Sequence, residues 1–364
     1  MEINVEKKDF LSGLQRIVGI VNPRPALAAL SYIFLEAEEG KIFLTATDLE
    51  LTMRVEILCK TKRGGSLLVP GRRFASIIRE LPEAEINIIK EKTEKIQITV
   101  GKIIFTLPGL KVDEFPGLPK IKKGAVLKMK QGVLKRMLKK TKFSVAPDET
   151  RAYLRGLLFS LKKDSLVLVG TDTRRLAYIR KLYSSPIETD LILPSKLIDE
   201  LEKCLAEEGE VEVTITPNQV LFETADLLII SQLIEGRFPN YETVFPSEEL
   251  KEVRVERERL SAAVRRISLL TTERHSSIKL DLIPQEIVIS INAPEAGEAK
   301  EPIPVEYSGE KIAISFNPVY LLDVLKNLEV ENVIVGISDP LKPALIRPDS
   351  EEEYKYVLMP VKTE

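Results

Sequence analysis

Asp48 in TATDLEL and Asp172 in GTDTRRL are the carboxylates that the sequence best equips for chemistry. Paired aspartates can hold Mg²⁺ against a phosphoryl group, so a metal-dependent nuclease or phosphatase is one reading. The two stand at matching places in similar phrases, however, and the matching place further on reads Ala293-Pro294. An aspartate at a hairpin end ordinarily bonds the backbone just beyond it, and that turn role is expected for both. His275 is the sole histidine, which leaves His-built metal cages and Ser-His or Cys-His pairs without material. It follows a basic helix and is expected at the surface or beside a bound polyanion. Cys59 and Cys204 form no spaced pair, which fits a reducing compartment. There is no Walker-type loop, no GxGxxG after a strand, no HExxH and no GxSxG. No catalytic residue, metal or cofactor is expected.

The elements that carry these residues come in three sets. The 364 residues allow two or three domains of the usual ~100–150 residues. Each third opens on a strand and an amphipathic helix. Phe10, Leu14, Ile17 and Val21 share a helical face in the first, Val133, Leu134, Met137 and Leu138 in the second, and Leu260, Val264 and Ile267 in the third. Two β-rich runs joined by a short turn follow, such as YIFLEAEEGKIFLTATDLELTM and GLLFSLKKDSLVLVGTDTRRLAYI. Their alternation is mixed over Ile42–Thr45 and Leu166–Val169, but β-branched residues and turn signals favour hairpins. A second helix then starts after Pro or Asn, in LLVPGRRFASIIREL, LILPSKLIDELEKCL and ISFNPVYLLDVLKNL. In the last, Asn317 is expected to cap and Pro318 to occupy the first turn. A further β-rich stretch closes each third, and DEFPGLP and GRFPNYETVFP read as linkers. The predicted class is α+β, a threefold internal repeat of two helices on antiparallel sheets.

Net charge is only −2, yet the cations are unevenly spread. Lys128 to Lys142 holds seven Lys and Arg and no acid, with Lys135, Lys139 and Lys142 at helical spacing. The first third places Lys7, Lys8 and Arg16 on one helix and Arg72, Arg73 and Arg79 on the other; the last carries Arg257, Arg259, Arg265 and Arg266. Acids gather elsewhere, as in Glu207–Glu210 and Glu295–Glu301. Repetition on equivalent helices predicts one cationic surface that holds a polyanion by its phosphates. Aromatic residues do not interleave with these cations, so duplex is favoured over single-stranded nucleic acid. The opening MEINVEKK lacks the apolar core of a signal peptide. No stretch reaches the ~18–20 apolar residues that span a bilayer, so a cytoplasmic location and no membrane partner are expected.

Across nearly the whole chain the sequence resembles the bacterial DNA polymerase III beta subunits, the DNA sliding clamps. The resemblance rests on Thr47–Glu50 (TDLE), Arg151–Leu154 (RAYL) with Gly156, Thr171-Asp172, Arg175–Ala177 (RLA), Gly236–Tyr241 (GRFPNY), Tyr320–Leu325 (YLLDVL) and Tyr356–Pro360 (YVLMP), in order and spacing. It implies clamp domains at 1–120, 121–247 and 248–364, and a head-to-tail homodimer that forms a six-domain ring lined by helices. It also implies partners: double-stranded DNA, the DNA polymerase III catalytic subunit, the clamp loader and other proteins with a clamp-binding motif. Carried over residue by residue, it implies a peptide pocket of Leu154, Thr171, Arg175, Leu176, Pro239, Val244, Val357, Met359, Pro360 and Val361, bordered by Tyr320 and Leu341. Thr173-Arg174 stands where Gly-His is frequent, Thr243 where Arg is frequent, and Pro343 where a small polar residue is usual, which bears on the pocket's peptide preference. Arg24 matches a DNA-contacting loop residue of the family, and the loop 146–150 matches another; Arg151 and Tyr153, which follow that loop, are counted with them. To these the charge pattern adds Arg73, Lys135, Lys139, Arg265 and Arg266. A dimer seam is implied between Phe105 and Leu107 of one chain and Leu269 and Leu270 of the other. Leu269 lies off the apolar stripe of its helix, in keeping with a second buried surface.

The rivals are the metal-dependent enzyme built on Asp48 and Asp172, and a scaffold that binds proteins without forming a ring.

Overall fold

The computed structural model describes residues 1–91, 94–117, 119, 124–146, 148–350 and 353–362. The expected boundary between residues 120 and 121, residue 364, and position 147 of the 146–150 loop lie outside the described residues.

The first third runs β1 (Glu2–Glu6), α1 (Lys7–Ile17), β2 (Tyr32–Glu38), β3 (Lys41–Thr47), β4 (Leu51–Leu58), β5 (Lys60–Arg63), β6 (Gly65–Pro70), α2 (Gly71–Glu80), β7 (Glu85–Lys90), β8 (Lys95–Val100) and β9 (Ile103–Pro108). The second runs β10 (Ala125–Lys130), α3 (Gln131–Thr141), β11 (Gly156–Lys162), β12 (Ser165–Thr171), β13 (Arg175–Leu182), β14 (Thr189–Pro194), α4 (Ser195–Cys204), β15 (Glu210–Ile215), β16 (Gln219–Glu223) and β17 (Leu227–Gln232). The third runs β18 (Lys251–Glu256), α5 (Arg257–Ser268), β19 (Ile278–Ile283), β20 (Glu286–Ala293), β21 (Gly297–Pro304), β22 (Ile312–Phe316), α6 (Pro318–Asn327), β23 (Asn332–Ile337), β24 (Ala344–Pro348) and β25 (Tyr354–Leu358). The same order recurs three times, with β5 the one insertion among the described residues.

Two compact units divide the chain, residues 1–134 with 199–233 and residues 135–198 with 234–364. In the first unit one sheet has the order β5-β1-β7-β8-β9 and another β10-β15-β16-β17-β4-β3-β2-β6. In the second, one has the order β14-β11-β12-β13-β25-β24-β23-β18 and another β21-β20-β19-β22. Each eight-stranded sheet is thus two four-stranded halves from successive thirds. They are stitched by β17 on β4 in one and β13 on β25 in the other, both antiparallel.

Burial explains why these segments fold as they do. Phe10, Leu14 and Ile17 of α1 are fully buried, and the Phe10 ring meets Phe74 of α2 edge to face with 5.7 Å between centroids. Leu260, Val264 and Ile267 of α5 are buried likewise, as are Leu321, Val324 and Leu325 of α6. Val21 is buried but lies beyond the end of α1. The Asn317 side chain accepts the Val319 N–H at 2.9 Å and Pro318 opens α6, as the sequence predicts. The weak alternation at Leu166–Val169 has a simple cause: every residue of β12 is buried, because a central strand of an eight-stranded sheet is covered on both faces. Gly170 ends that run because a Cβ there would stand 2.4 Å from the Thr141 carbonyl oxygen. Among the described residues no helix is long and apolar enough to cross a membrane.

Candidate functional site

The two aspartates come first because their geometry decides between chemistry and architecture. In the first hairpin end, Asp48 Oδ1 accepts the Leu51 N–H at 2.8 Å, while Thr47 Oγ1 accepts the Leu49 N–H at 3.1 Å and donates to the Leu51 carbonyl at 3.2 Å. In the second, Asp172 Oδ1 accepts the Arg175 N–H at 2.9 Å, Thr171 Oγ1 accepts the Thr173 N–H at 3.1 Å, and it donates to the Arg175 carbonyl at 2.7 Å. The same turn is built twice, with Leu49 (φ 80°) and Thr173 (φ 73°) in the left-handed region. These side chains are occupied by the backbone. No group of three or more metal-ligating side chains occurs among the described residues.

The second turn is one wall of the candidate peptide site. Cross-strand pairing on β13 and β25 sets Leu176 opposite Val357, and both are buried in a cluster with Leu158, Val169, Ile192 and Phe238. Tyr153, Val244, Tyr178, Tyr241 and Phe245 pack onto it half-buried. Burial pushes the Tyr241 phenol up to about 12. Leu154, in a short 3₁₀ turn before β11, and Thr171 are themselves buried. Beside this apolar floor, Arg175 lies over the Tyr320 ring at 4.4 Å, its Nε donating to Asp172 at 3.0 Å and an Nη to Asp323 at 2.5 Å. The Tyr356 hydroxyl donates to the Tyr320 carbonyl at 2.9 Å and fixes the start of α6 against β25. Met359 is 38% exposed and its N–H donates to the Arg174 carbonyl at 2.9 Å. Leu341 is 66% exposed on a turn held by Asp339. Thr173 and Pro239 are exposed, and Pro360 and Val361 half-buried. The arrangement joins exposed apolar side chains to one rigid, charge-compensated arginine, which suits an extended peptide with apolar anchors. Sequence reasoning missed Asp323, which pins Arg175, and Phe143, 5.7 Å from its guanidinium. Asp323 was in view within YLLDVL, but its partner lies 148 residues away.

The cations divide less evenly than their spacing implies. Arg24 and Arg73, in the first unit, and Arg265, in the second, are exposed, and their side chains have no ion-pair partner among the described residues. Arg266 is held by Glu301 at 2.9 and 2.5 Å, Lys139 by Glu329 at 2.7 Å, and Arg151 by Glu149 at 3.1 and 3.0 Å. Hydrogen bonds from the Arg151 side chain, then from its N–H and from Thr150, lower the Glu149 carboxyl to about 2. Lys135 and Tyr153 are half-buried, whereas Arg136 is exposed. Lys7, expected on the surface, is buried: its ammonium donates to the Leu81 carbonyl and pairs with Glu83 at 2.9 Å. Among the described residues each of the six α-helices also carries a cation in its last turn, where the helix dipole favours one regardless of ligand. His275 is half-buried and bonded through Nδ1 to Glu295 at 2.9 Å.

At the expected seam, Phe105 is 40% exposed, but Leu107 is 7% exposed and turned into its own sheet. Ile103 and Ile104, which sequence reasoning passed over, are 42% and 60% exposed on the same edge strand. Leu269 is 82% exposed just past α5, and Leu270 is half-buried.

Pairs of helices on antiparallel sheets, repeated three times in the same order, are the architecture of the DNA clamps. Models of the DNA polymerase III beta subunit match the chain in all three parts: the N-terminal domain over residues 1–119, the central domain over 128–240 and the C-terminal domain over 242–362. The beta sliding clamp of Vibrio cholerae is 32% identical over 365 residues, covering 100% of both chains. Among solved structures, a sliding clamp from Pseudomonas aeruginosa bound to griselimycin superposes with a TM-score of 0.95 at 32% identity, and that from Bacillus subtilis with 0.94 at 30%, each over 100% of both chains. The chain belongs to the DNA polymerase III beta subunit family, the bacterial sliding clamps. It is a processivity factor of the replicative polymerase and carries out no catalysis.

Proposed function

We propose that two copies of this chain close head to tail into a ring around duplex DNA, and that the pocket on β13 and β25 tethers the DNA polymerase III catalytic subunit to it. The observation that carries this reading is a pattern of sheet edges. In each third, the last strand of one half-sheet is β9, β17 or β25, and the last of the other is β4, β13 or β21. Two such pairs are joined within the chain, β17 with β4 and β25 with β13, which leaves β9 and β21 as open edges. By the rule of the other two, β9 of one copy joins β21 of another. A heterologous contact of this kind makes a closed ring or an open fibre; closure after two copies gives six domains, divided at 1–120, 121–247 and 248–364. An open edge strand bearing Ile103, Ile104 and Phe105 is a liability in a lone chain, and pairing removes it.

Arg24, Arg73, Lys135, Lys139, Arg151, Tyr153, Arg265 and Arg266 are the proposed DNA-side residues. Their contacts are with phosphate and carry no sequence information. Several are already paired to carboxylates, so the grip is weak and the duplex can slide. Retention comes from enclosure. A polymerase held through the pocket is kept at an effective concentration of order mM at the primer end. Leu154, Thr171, Thr173, Arg175, Leu176, Pro239, Val244, Tyr320, Leu341, Val357, Met359, Pro360 and Val361 form that pocket, shared in turn by the clamp loader and by other proteins with a clamp-binding motif. An ATP-driven loader opens the ring, and the protein works in the cytoplasm. The test is topological. Loaded onto a nicked circular plasmid, the protein should co-elute with the DNA and be released when the circle is cut. Retention on the linear product would remove the ring from consideration.

A further inference from the structure

A cavity of about 1040 Å³ opens on the sheet β21-β20-β19-β22. Register places Ser315, Lys279, Ser290 and Lys300 side by side, one from each of its four strands, in a single polar row. All four line the cavity, joined by Arg274 from the loop after α5 and by Lys362. Lys279 pairs with Asp281 at 3.0 Å. Arg274, Lys300 and Lys362 are exposed with no ion-pair partner among the described residues. Among the described residues Glu298 is the one carboxylate in the lining, since Glu295 stands outside it, bonded to Thr272 and His275.

Three features fix what such a cavity takes. Uncompensated cations beside serine hydroxyls call for carboxylates or phosphates. Among the described residues the lining has no Phe, Tyr or Trp on which a base could stack. Moreover, α5 packs on this sheet from the side of buried Ile278, Leu280 and Leu282, so the strand alternation turns Lys279 and its row away from the helix proposed to face DNA. A protein ligand is therefore favoured over a nucleic acid. Position supplies the rest. Met359 is bonded to Arg174 at the candidate pocket, and Val361 donates its N–H to the Ser315 carbonyl at 2.8 Å in the cavity wall. Val361 and Lys362 themselves line the cavity. Residues 359–362 thus lead from the apolar site directly into the cationic one.

We propose that this cavity receives an acidic segment lying beside the apolar anchor of a clamp-binding peptide, so that acidic flanks select among partners that compete for one pocket. The proposal rests on the peptide-pocket reading, and the experiment separates the two. Two labelled peptides with the same Leu and Phe anchors, one flanked by four Glu and one by four Ser, are titrated against the full chain and against the Arg274→Ala/Lys300→Ala double variant. At ~50 mM salt the acidic flank should tighten binding to the unaltered chain about five- to tenfold, the sum of a few exposed ion pairs. The gain should vanish in the double variant and at high salt, while the serine-flanked peptide binds both proteins equally. No gain from the acidic flank, or a gain that survives the double variant, overturns the proposal. Failure of the serine-flanked peptide to bind would instead mark failure of the pocket reading. Labelled hexaglutamate alone then decides the cavity: weak, salt-sensitive binding lost in the double variant supports it, and no binding overturns it. A single-stranded oligonucleotide of equal charge that displaces hexaglutamate equally well overturns the assignment to peptide.

Discussion

The guanidinium of Arg175 lies 4.4 Å from the centroid of the Tyr320 ring, held between Asp172 on its own turn and Asp323 on α6. Its side chain is 10% exposed, so its charge is largely desolvated and depends on both carboxylates. Replacing Asp323 by Ala removes one arm and leaves the other. A stability loss of about 1–2 kcal/mol in urea titrations is expected for a hydrogen bond to a charged group at a partly exposed carboxylate. A clamp-binding peptide should also bind about three- to tenfold more weakly, because Arg175 can then leave the ring that sets its position. Unchanged peptide affinity, measured by anisotropy on a folded variant, would assign Asp323 to stability alone.

Thr173 and Leu49 occupy matching left-handed positions at φ 73° and 80°. A β-branched threonine there is under more strain than most residues. Thr173→Gly and Leu49→Gly should each stabilise the protein by about 0.5–1 kcal/mol, the relief of strain less the extra entropy that glycine brings to the unfolded chain. The sites lie in different compact units, so the effects should add. Loss of stability on either change would show that a side-chain contact outweighs the backbone strain.

The threefold order of elements was legible because it rests on local signals: apolar spacing on α1, α3 and α5, Asn317-Pro318 at a helix start, and Asp48 and Asp172 closing hairpins. All of these are set within a few residues of chain. Partnerships across the fold were not legible. Lys7 reads as a surface cation until Leu81 and Glu83 are seen beside it, and Arg266 reads as free until Glu301 is found 35 residues on. Leu107 and Ile104 cannot be told apart by type. Which of them is exposed depends on the pleat of β9 and on the strands beside it. The cavity cations escaped notice because register alone brings Lys279 and Lys300 together.

Glu149 holds Arg151 with both carboxylate oxygens, and those bonds lower its carboxyl to about 2. The sign follows from that depression. The pairing is fully present above the ordinary glutamate range near 4.3 and is lost as pH falls toward about 2. A carbon-detected NMR titration should place the Glu149 midpoint near the lower value and move it up toward the ordinary range in Arg151→Ala, short of a full return because the backbone N–H of residue 151 and the Thr150 hydroxyl still donate to it. At neutral pH, Glu149→Gln should release Arg151 to DNA. Tighter binding to duplex and a log–log salt slope steeper by about 0.9, one added phosphate contact, are expected. An unchanged slope would exclude Arg151 from the DNA-side set.

The open edge at β9 carries the sharpest consequence for assembly. Ile104 is 60% exposed there, and Leu269 is 82% exposed beyond α5. Burying a side chain of this size in a partner contributes about 1.5–3 kcal/mol, and a carboxylate in its place adds the cost of an unpaired buried charge. Ile104→Glu or Leu269→Glu should therefore raise the dimer dissociation constant by at least about 100-fold, enough to yield monomer by light scattering at micromolar concentration. Leu182 is as exposed as Leu269, at 83%, but belongs to neither open edge. Leu182→Glu should leave the mass of a dimer unchanged. Equal loss of dimer in all three variants would point to general destabilisation, and a dimer that survives both seam changes would place the contact elsewhere.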